Sequence, residues 1–500
     1  MNPVSNGKMV HKFVALCFLA GAAQAFVSCG ETQAPSAAFT PASGPVGTLV
    51  TLTGDDFTTL QSVTIGGVAA IPISTSSTSM VAYVMPGAAT GPINVTTSVG
   101  GALTVVGNFT VTATGVPSST QQQGAKLIGT GAVSDGNQGF SVSLSADGNT
   151  ALVGGEEDNS NSGAAWVFTR SGGAWVQQGD KLVGTGTTNV ASQGYSVSLS
   201  ADGNTALVGG PGDGSNLGAA WVYTRSGGVW TQQGSKLVGS GSVGLPVREG
   251  NSVRLSADGN TAIIGGPTDN GNVGAAWVFT RTSGVWTQQG SKLVGTGAVG
   301  AATQGSVALS ADGNTAAVGG SGDNSGIGAV WVFTRSGGVW TQQNSKLIGS
   351  GTTGTTVYQG LGLSLSADGN TVVFGGPQDN SGVGATWVFT RSGTAWTQQG
   401  TKLLGSGATG AADQGGSLSL SADGNTVLIG GDTDNASAGA AWVFTRSGST
   451  WAQQGSKLVG SGVVGGAAQA NGVSLSADGS TACLGGPGDN TSVGASWIFL

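Results

Sequence analysis

The chain has a single histidine, His11, and it falls in a stretch that reads as an export signal, so the exported protein is expected to carry none. Without histidine there is no Ser-His-Asp triad, no Cys-His pair and no histidine-ligated zinc. Cysteine is nearly as scarce. Cys17 and Cys29 lie near the N-terminus and only Cys483 lies in the body of the chain, which excludes an internal disulfide framework there. Charged residues make up 8% of the sequence and the net charge is −7, which leaves no basic footprint for a phosphate backbone. Nucleic acid is therefore not expected as a partner, and no cofactor is expected either. After the first thirty residues no apolar run is long enough to span a bilayer. What is abundant is glycine, 94 of 500 residues, in a composition that suits a turn-dense all-β chain. Thirteen tryptophans recurring at regular positions argue against disorder.

Lys8 and Lys12 precede an apolar run over residues 13–27, too short for a membrane span and suited to a signal peptide over residues 1–28. Two cleavage points compete. Ala23-Gln24-Ala25 fits the small-x-small rule of ordinary signal peptidase, whereas Phe26-Val27-Ser28-Cys29 resembles a bacterial lipobox, with Phe26 where that motif usually has leucine. The lipobox resemblance implies lipidation at Cys29, anchorage at the outer membrane or cell surface, and a short linker over 29–33. Acyl chains contribute ~0.8 kcal/mol per buried methylene, so several together anchor stably. The other cleavage implies a secreted protein.

Residues 34–113 are rich in Thr, Val and Gly, in short alternating segments separated by turn signals, which predicts an antiparallel sandwich. The strings Phe39-Thr40-Pro41-Ala42-Ser43-Gly44-Pro45, Val63-Thr64-Ile65-Gly66-Gly67, Val84-Met85-Pro86 and Asn108-Phe109-Thr110-Val111 resemble an IPT/TIG immunoglobulin-like domain. That resemblance implies a spacer or binding module.

After a linker over 114–120, one unit repeats seven times. The string Ser-Ala-Asp-Gly followed by Asn or Ser and then Thr places its aspartate at Asp147, Asp202, Asp258, Asp312, Asp368, Asp423 and Asp478, at intervals of 54 to 56 residues. Four strand signals fall in each unit; in the second they are Tyr195-Ser196-Val197-Ser198-Leu199, Ala206-Leu207-Val208, Ala219-Ala220-Trp221-Val222-Tyr223 and Val229-Trp230-Thr231-Gln232-Gln233, with Asp202-Gly203 a tight hairpin between the first two. Four short strands per unit predict a propeller blade, and the fold expected is all-β, a seven-bladed β-propeller over 121–500 preceded by the sandwich. Trp166, Trp221, Trp277, Trp331, Trp387, Trp442 and Trp497 mark the third strands and are expected between blades. The seventh unit stops at Leu500 after its third strand, while residues 121–129 match the missing fourth. They are expected to close the last blade.

Gln138-Gly139-Phe140, Gln193-Gly194-Tyr195, Gly209-Gly210-Pro211 and Gly265-Gly266-Pro267 resemble FG-GAP repeats, the blade type of integrin α-subunit propellers. In that family the turn between the first two strands is a longer acidic loop that can bind calcium. Here it is only Ala-Asp-Gly-Asn, too few oxygen ligands for the six to eight or so that calcium takes, so these aspartates are read as turn formers and no metal is expected. A second series, Asp158, Asp213, Asp269, Asp323, Asp379, Asp434 and Asp489, lies in the loop between the second and third strands. On the resemblance this loop shares a face with the inter-blade connections, where such propellers bind ligands. The series is expected either to hold the loop through side-chain-to-backbone turns or to form an acidic ring for a cation or basic ligand.

Lys126, Lys181, Lys236, Lys292, Lys346, Lys402 and Lys457 recur on the outer strand, where lysine blunts edge pairing. Arg170 and its equivalents open the last hairpin near the Asp-Gly turns. The function expected is a non-enzymatic, surface-displayed binding or adhesion protein, its partner an extracellular protein or glycan. The alternatives are a structural envelope protein and a polysaccharide-active enzyme using carboxylates such as Glu156-Glu157-Asp158 or Asp432 with Asp434.

Overall fold

The computed structural model describes residues 36–54, 57–98, 101–118 and 121–500. The export signal and Cys29 lie outside the described residues. The first unit of structure is a sandwich. Its strand Ser36–Thr40 pairs antiparallel with Leu49–Thr53 and parallel with Gly101–Val105. Strand Gly91–Thr97 buries alternate residues, the period-two pattern of a sheet with one face inward. Leu52, Phe57, Ile65, Met80, Val95 and Phe109 meet between the sheets as its core.

The rest is seven radial sheets. In the second blade the strands are Ser196–Leu199, Thr205–Gly210, Ala219–Ser226 and Val229–Gln232, antiparallel and paired in chain order. The second strand is buried along its whole length because blades cover both of its faces. Trp221 and its six equivalents are fully buried. Each hydrophobic cluster joins two blades: Leu152, Ala165 and Val167 of the first pack with Val197, Val208 and Trp221 of the second. A single blade thus leaves an apolar face uncovered, and the core consists of repeated inter-blade layers. The Trp221 Nε1–H donates to the Thr185 carbonyl at 2.9 Å, so its polar atom is satisfied inside the layer. Gly184 lies against this indole; a Cβ there would come within 2.2 Å of Trp221 Cδ1, which explains glycine after Lys-Leu-Val.

Two devices close the ring. On the face of the Asp-Gly turns, the Ala146 N–H donates to the Ala201 carbonyl at 2.9 Å, Ala201 to Ala257, and so on around to Ala477, whose N–H returns to the Ala146 carbonyl at 3.0 Å. At the rim, residues 121–129 lie antiparallel to Ala495–Phe499. The Gln123 N–H donates to the Ile498 carbonyl at 2.8 Å, and Leu127 and Ser496 exchange both backbone bonds. The two ends of the propeller thus share one blade, and the edge of Ala495–Phe499 is paired at the join.

Candidate functional site

The seven loop aspartates do not form an exposed acidic ring. Asp158, Asp213, Asp269, Asp323, Asp379, Asp434 and Asp489 are each at most 2% exposed. The loop between the second and third strands forms one four-residue turn, as at Asp158–Asn161, with Asn159 and Ser160 in the left-handed region (φ 52° and 57°). This turn packs under the inter-blade loop, and the carboxylate joins the two. Asp269 Oδ1 accepts the Val243 N–H at 2.7 Å while Oδ2 meets Lys292 Nζ at 2.5 Å. The same pair forms in every blade, ending with Lys126 on Asp489. Both charges are committed to the fold, so the lysines serve as counter-charges in addition to lying near a sheet edge.

The acidic clusters considered for catalysis are split by the same pairing, since Asp158 belongs to Lys181 and Asp434 to Lys457. The Asp-Gly aspartates act as turn formers: Asp147 Oδ1 accepts from the Ser145 hydroxyl and the Asn149 N–H. Arg170 donates to Asn149 Oδ1 and Gln123 Oε1 and covers the Trp175 ring, binding amides where a carboxylate was the nearer sequence candidate. Burial pushes the Cys483 thiol up to about 12, which removes it as a nucleophile.

The two ends of the central channel are built differently. At the Asp-Gly face the alanines of the backbone ring meet Val46, Ile73 and Tyr83 of the sandwich in one apolar cluster. Tyr83, 5% exposed, borders a cavity at this end together with the leucine and alanine rings. At the other end, where the first strands begin, a cavity of about 340 Å³ opens to solvent.

The repeats differ in the loops of this face and in the lining of the mouth. The residue before the buried Gln of each unit, or before Glu249 in the third, is Asn137, Ser192, Arg248, Thr303, Tyr358, Asp413 or Ala468, every one at positive φ. Two positions after that Gln stand Phe140, Tyr195, Asn251, Leu361, Gly416 and Asn471, with a one-residue deletion in the fourth blade. The Phe140 and Tyr195 rings meet at 4.8 Å between centroids. Burial, followed by the Glu156 charge, raises the Tyr195 phenol, with Arg248 opposing. On the other side of the rim, burial and then Asp432 raise the Asp413 carboxyl, which accepts from Gln378 Nε2 at 2.9 Å.

The third blade departs furthest. Glu249 replaces the Gln that in the second blade, as Gln193, exchanges two hydrogen bonds with Gly184; Glu249 accepts from the Gly239 N–H and its Oε1 has no partner. Burial, the largest influence, pushes its carboxyl up to about 8. Arg254 stands where five blades have Ser, and it is the one charged side chain lining the mouth among the described residues. Sequence reasoning passed over it, although Ser-Val-Arg-Leu against Ser-Val-Ser-Leu in a first strand was the available signal.

A family model for the IPT/TIG domain matches residues 36–115. No curated protein matches the chain. Among solved structures, a chain of hydrazine synthase from Kuenenia stuttgartiensis is similar at a TM-score of 0.46 and 13% identity, covering 75% of this chain and 99% of that one. Residues 36–115 are thus an IPT/TIG domain, and with the seven-bladed propeller that follows they make a fold consistent with a binding or structural protein.

Proposed function

We propose that the protein is a non-enzymatic, surface-displayed binding protein whose recognition face is the open mouth of the propeller. The observation that carries this is the contrast between the two faces. The Asp-Gly face repeats nearly residue for residue and its central alanine ring packs against the sandwich, while the mouth varies from blade to blade and stays open. Packing needs the same residue seven times; an asymmetric ligand does not. Tyr358 and Leu361 of the fifth blade stand 38% and 44% exposed at this rim, apolar surface of the kind used in contacts. The resemblance of the blades to FG-GAP repeats supports recognition at the same face. Lipidation at Cys29 would tether the chain through the segment that precedes the sandwich in the sequence.

The test is binding of the purified chain to arrayed polysaccharides and cell-surface proteins, with a Tyr358→Ala/Leu361→Ala variant beside it. A ligand lost at least ~10-fold in that variant, with unchanged circular dichroism, supports the reading; each such anchor contributes upwards of ~1 kcal/mol. Equal binding by the variant would overturn the assignment of the face. Surface display is checked by protease accessibility on intact cells and by the mass of the mature N-terminus.

A further inference from the structure

The serines that Arg254 replaces have a defined structural task. Ser143 Oγ accepts the Leu199 N–H at 3.0 Å across the blade interface, and Ser198, Ser364, Ser419 and Ser474 do the same for the next blade's leucine. Arg254 gives up that bond. Its guanidinium has five donors, and the single hydrogen bond it makes among the described residues is from Nη1 to the Val253 carbonyl at 2.8 Å. Among the described residues no carboxylate pairs with it, although all seven loop lysines have one. The six arginines of the last hairpins have nearby aspartates that oppose the effect of burial on their pKa, whereas at Arg254 burial acts alone. Arg254 is partly exposed at the lining of the mouth, and a half-buried cation with no counter-ion is held less well than a paired one. Packing therefore gives no reason for arginine here, and an anion entering the mouth supplies one.

The rest of the cavity narrows the ligand. Its volume suits a group the size of one sugar ring. The Phe140–Tyr195 pair on the two preceding blades forms an apolar wall, and Asn251 and Asn471 bring amides to the mouth. Guanidinium and carboxylate match as a planar, two-bond pair.

We propose that the channel mouth binds a carboxylate-bearing sugar of the uronic or sialic acid class, with Arg254 holding the carboxylate and Phe140 and Tyr195 lining the ring. This deepens the recognition-face reading and rests on it.

The experiment is calorimetric titration of the full chain with glucuronate, galacturonate, N-acetylneuraminate, glucose and inorganic phosphate, repeated on R254S. Serine is the residue of five other blades, so this variant keeps the fold, and its urea midpoint checks that. At least one acidic sugar is expected to bind, at least ~10-fold more tightly than glucose or phosphate, and R254S is expected to weaken it ~10-fold or more, the loss of a charge-assisted pair. Absence of binding by all three acidic sugars, equal binding by R254S, or phosphate bound as tightly would overturn the assignment. In each of these cases the Tyr358 and Leu361 experiment still decides the recognition face on its own.

Discussion

Glu249 offers a sharp test of the packing logic because one atom separates it from the Gln at the same place in the other six blades. Gln193 accepts the Gly184 N–H with Oε1 and donates Nε2–H to the Gly184 carbonyl. An ionised Glu249 accepts the Gly239 N–H and leaves Oε1 with nothing to donate; a protonated one can place its O–H where the amide donor lies in other blades. The carboxyl accordingly titrates near 8 in the folded chain against an ordinary 4.5, chiefly through burial.

A pKa raised on folding means the folded state holds the proton longer, so the contribution is full below pH ~4.5 and is lost as pH rises to ~8. At about 1.4 kcal/mol per pH unit, the wild type has lost roughly 3 kcal/mol by pH 7 and roughly 5 kcal/mol above pH 9. Glu249→Gln removes this slope. The variant is expected to match the wild type within ~1 kcal/mol at pH 4.5 and to exceed it by several kcal/mol at pH 9. The assay is urea unfolding followed by tryptophan fluorescence at both pH values. A stability difference that does not change with pH would refute the protonated-carboxyl account.

Two further changes probe the fold. Asp269→Asn keeps the oxygen that receives the Val243 N–H but removes the counter-charge of Lys292, and is expected to cost ~2–4 kcal/mol in the same unfolding assay; an unaffected midpoint would show that the pair is dispensable. Deleting residues 121–129 exposes the edge of Ala495–Phe499 and strips Asp489 of Lys126, so a markedly lower melting temperature and increased light scattering are expected, and an unchanged protein would mean that the join does not hold the ring.

The blade count, the buried tryptophans and the immunoglobulin-like sandwich were legible because each rests on local patterning repeated in register. A one-in-two alternation, a tight Asp-Gly turn and an indole at a fixed place leave little choice of element. The loop aspartates were harder. Their lysines sit 23 residues downstream in the first six blades, a constant spacing visible in the sequence, yet the two series read as separate features because the strand between them hides that their ends converge. Lys126 and Asp489, 363 residues apart, meet only because the ring closes. Tyr83 gave no signal at all, since its role depends on how the sandwich seats on the alanine ring.

The same repetition that makes the fold readable also separates structural from functional residues within a single sequence. Seven equivalent environments ask for the same side chain, so a position filled alike in every blade, such as the loop aspartate or the third-strand tryptophan, is answering to packing. A sevenfold acidic ring would have been regular, and its members are regular because they hold the loops. Arg254 is the converse case. It forgoes a serine bond that five blades keep and brings to the channel mouth a charge that no carboxylate pairs with among the described residues. On the proposed reading, binding specificity in a closed ring of near-identical blades comes from such departures, because a ligand smaller than the ring meets only a few blades at a time and needs them to differ.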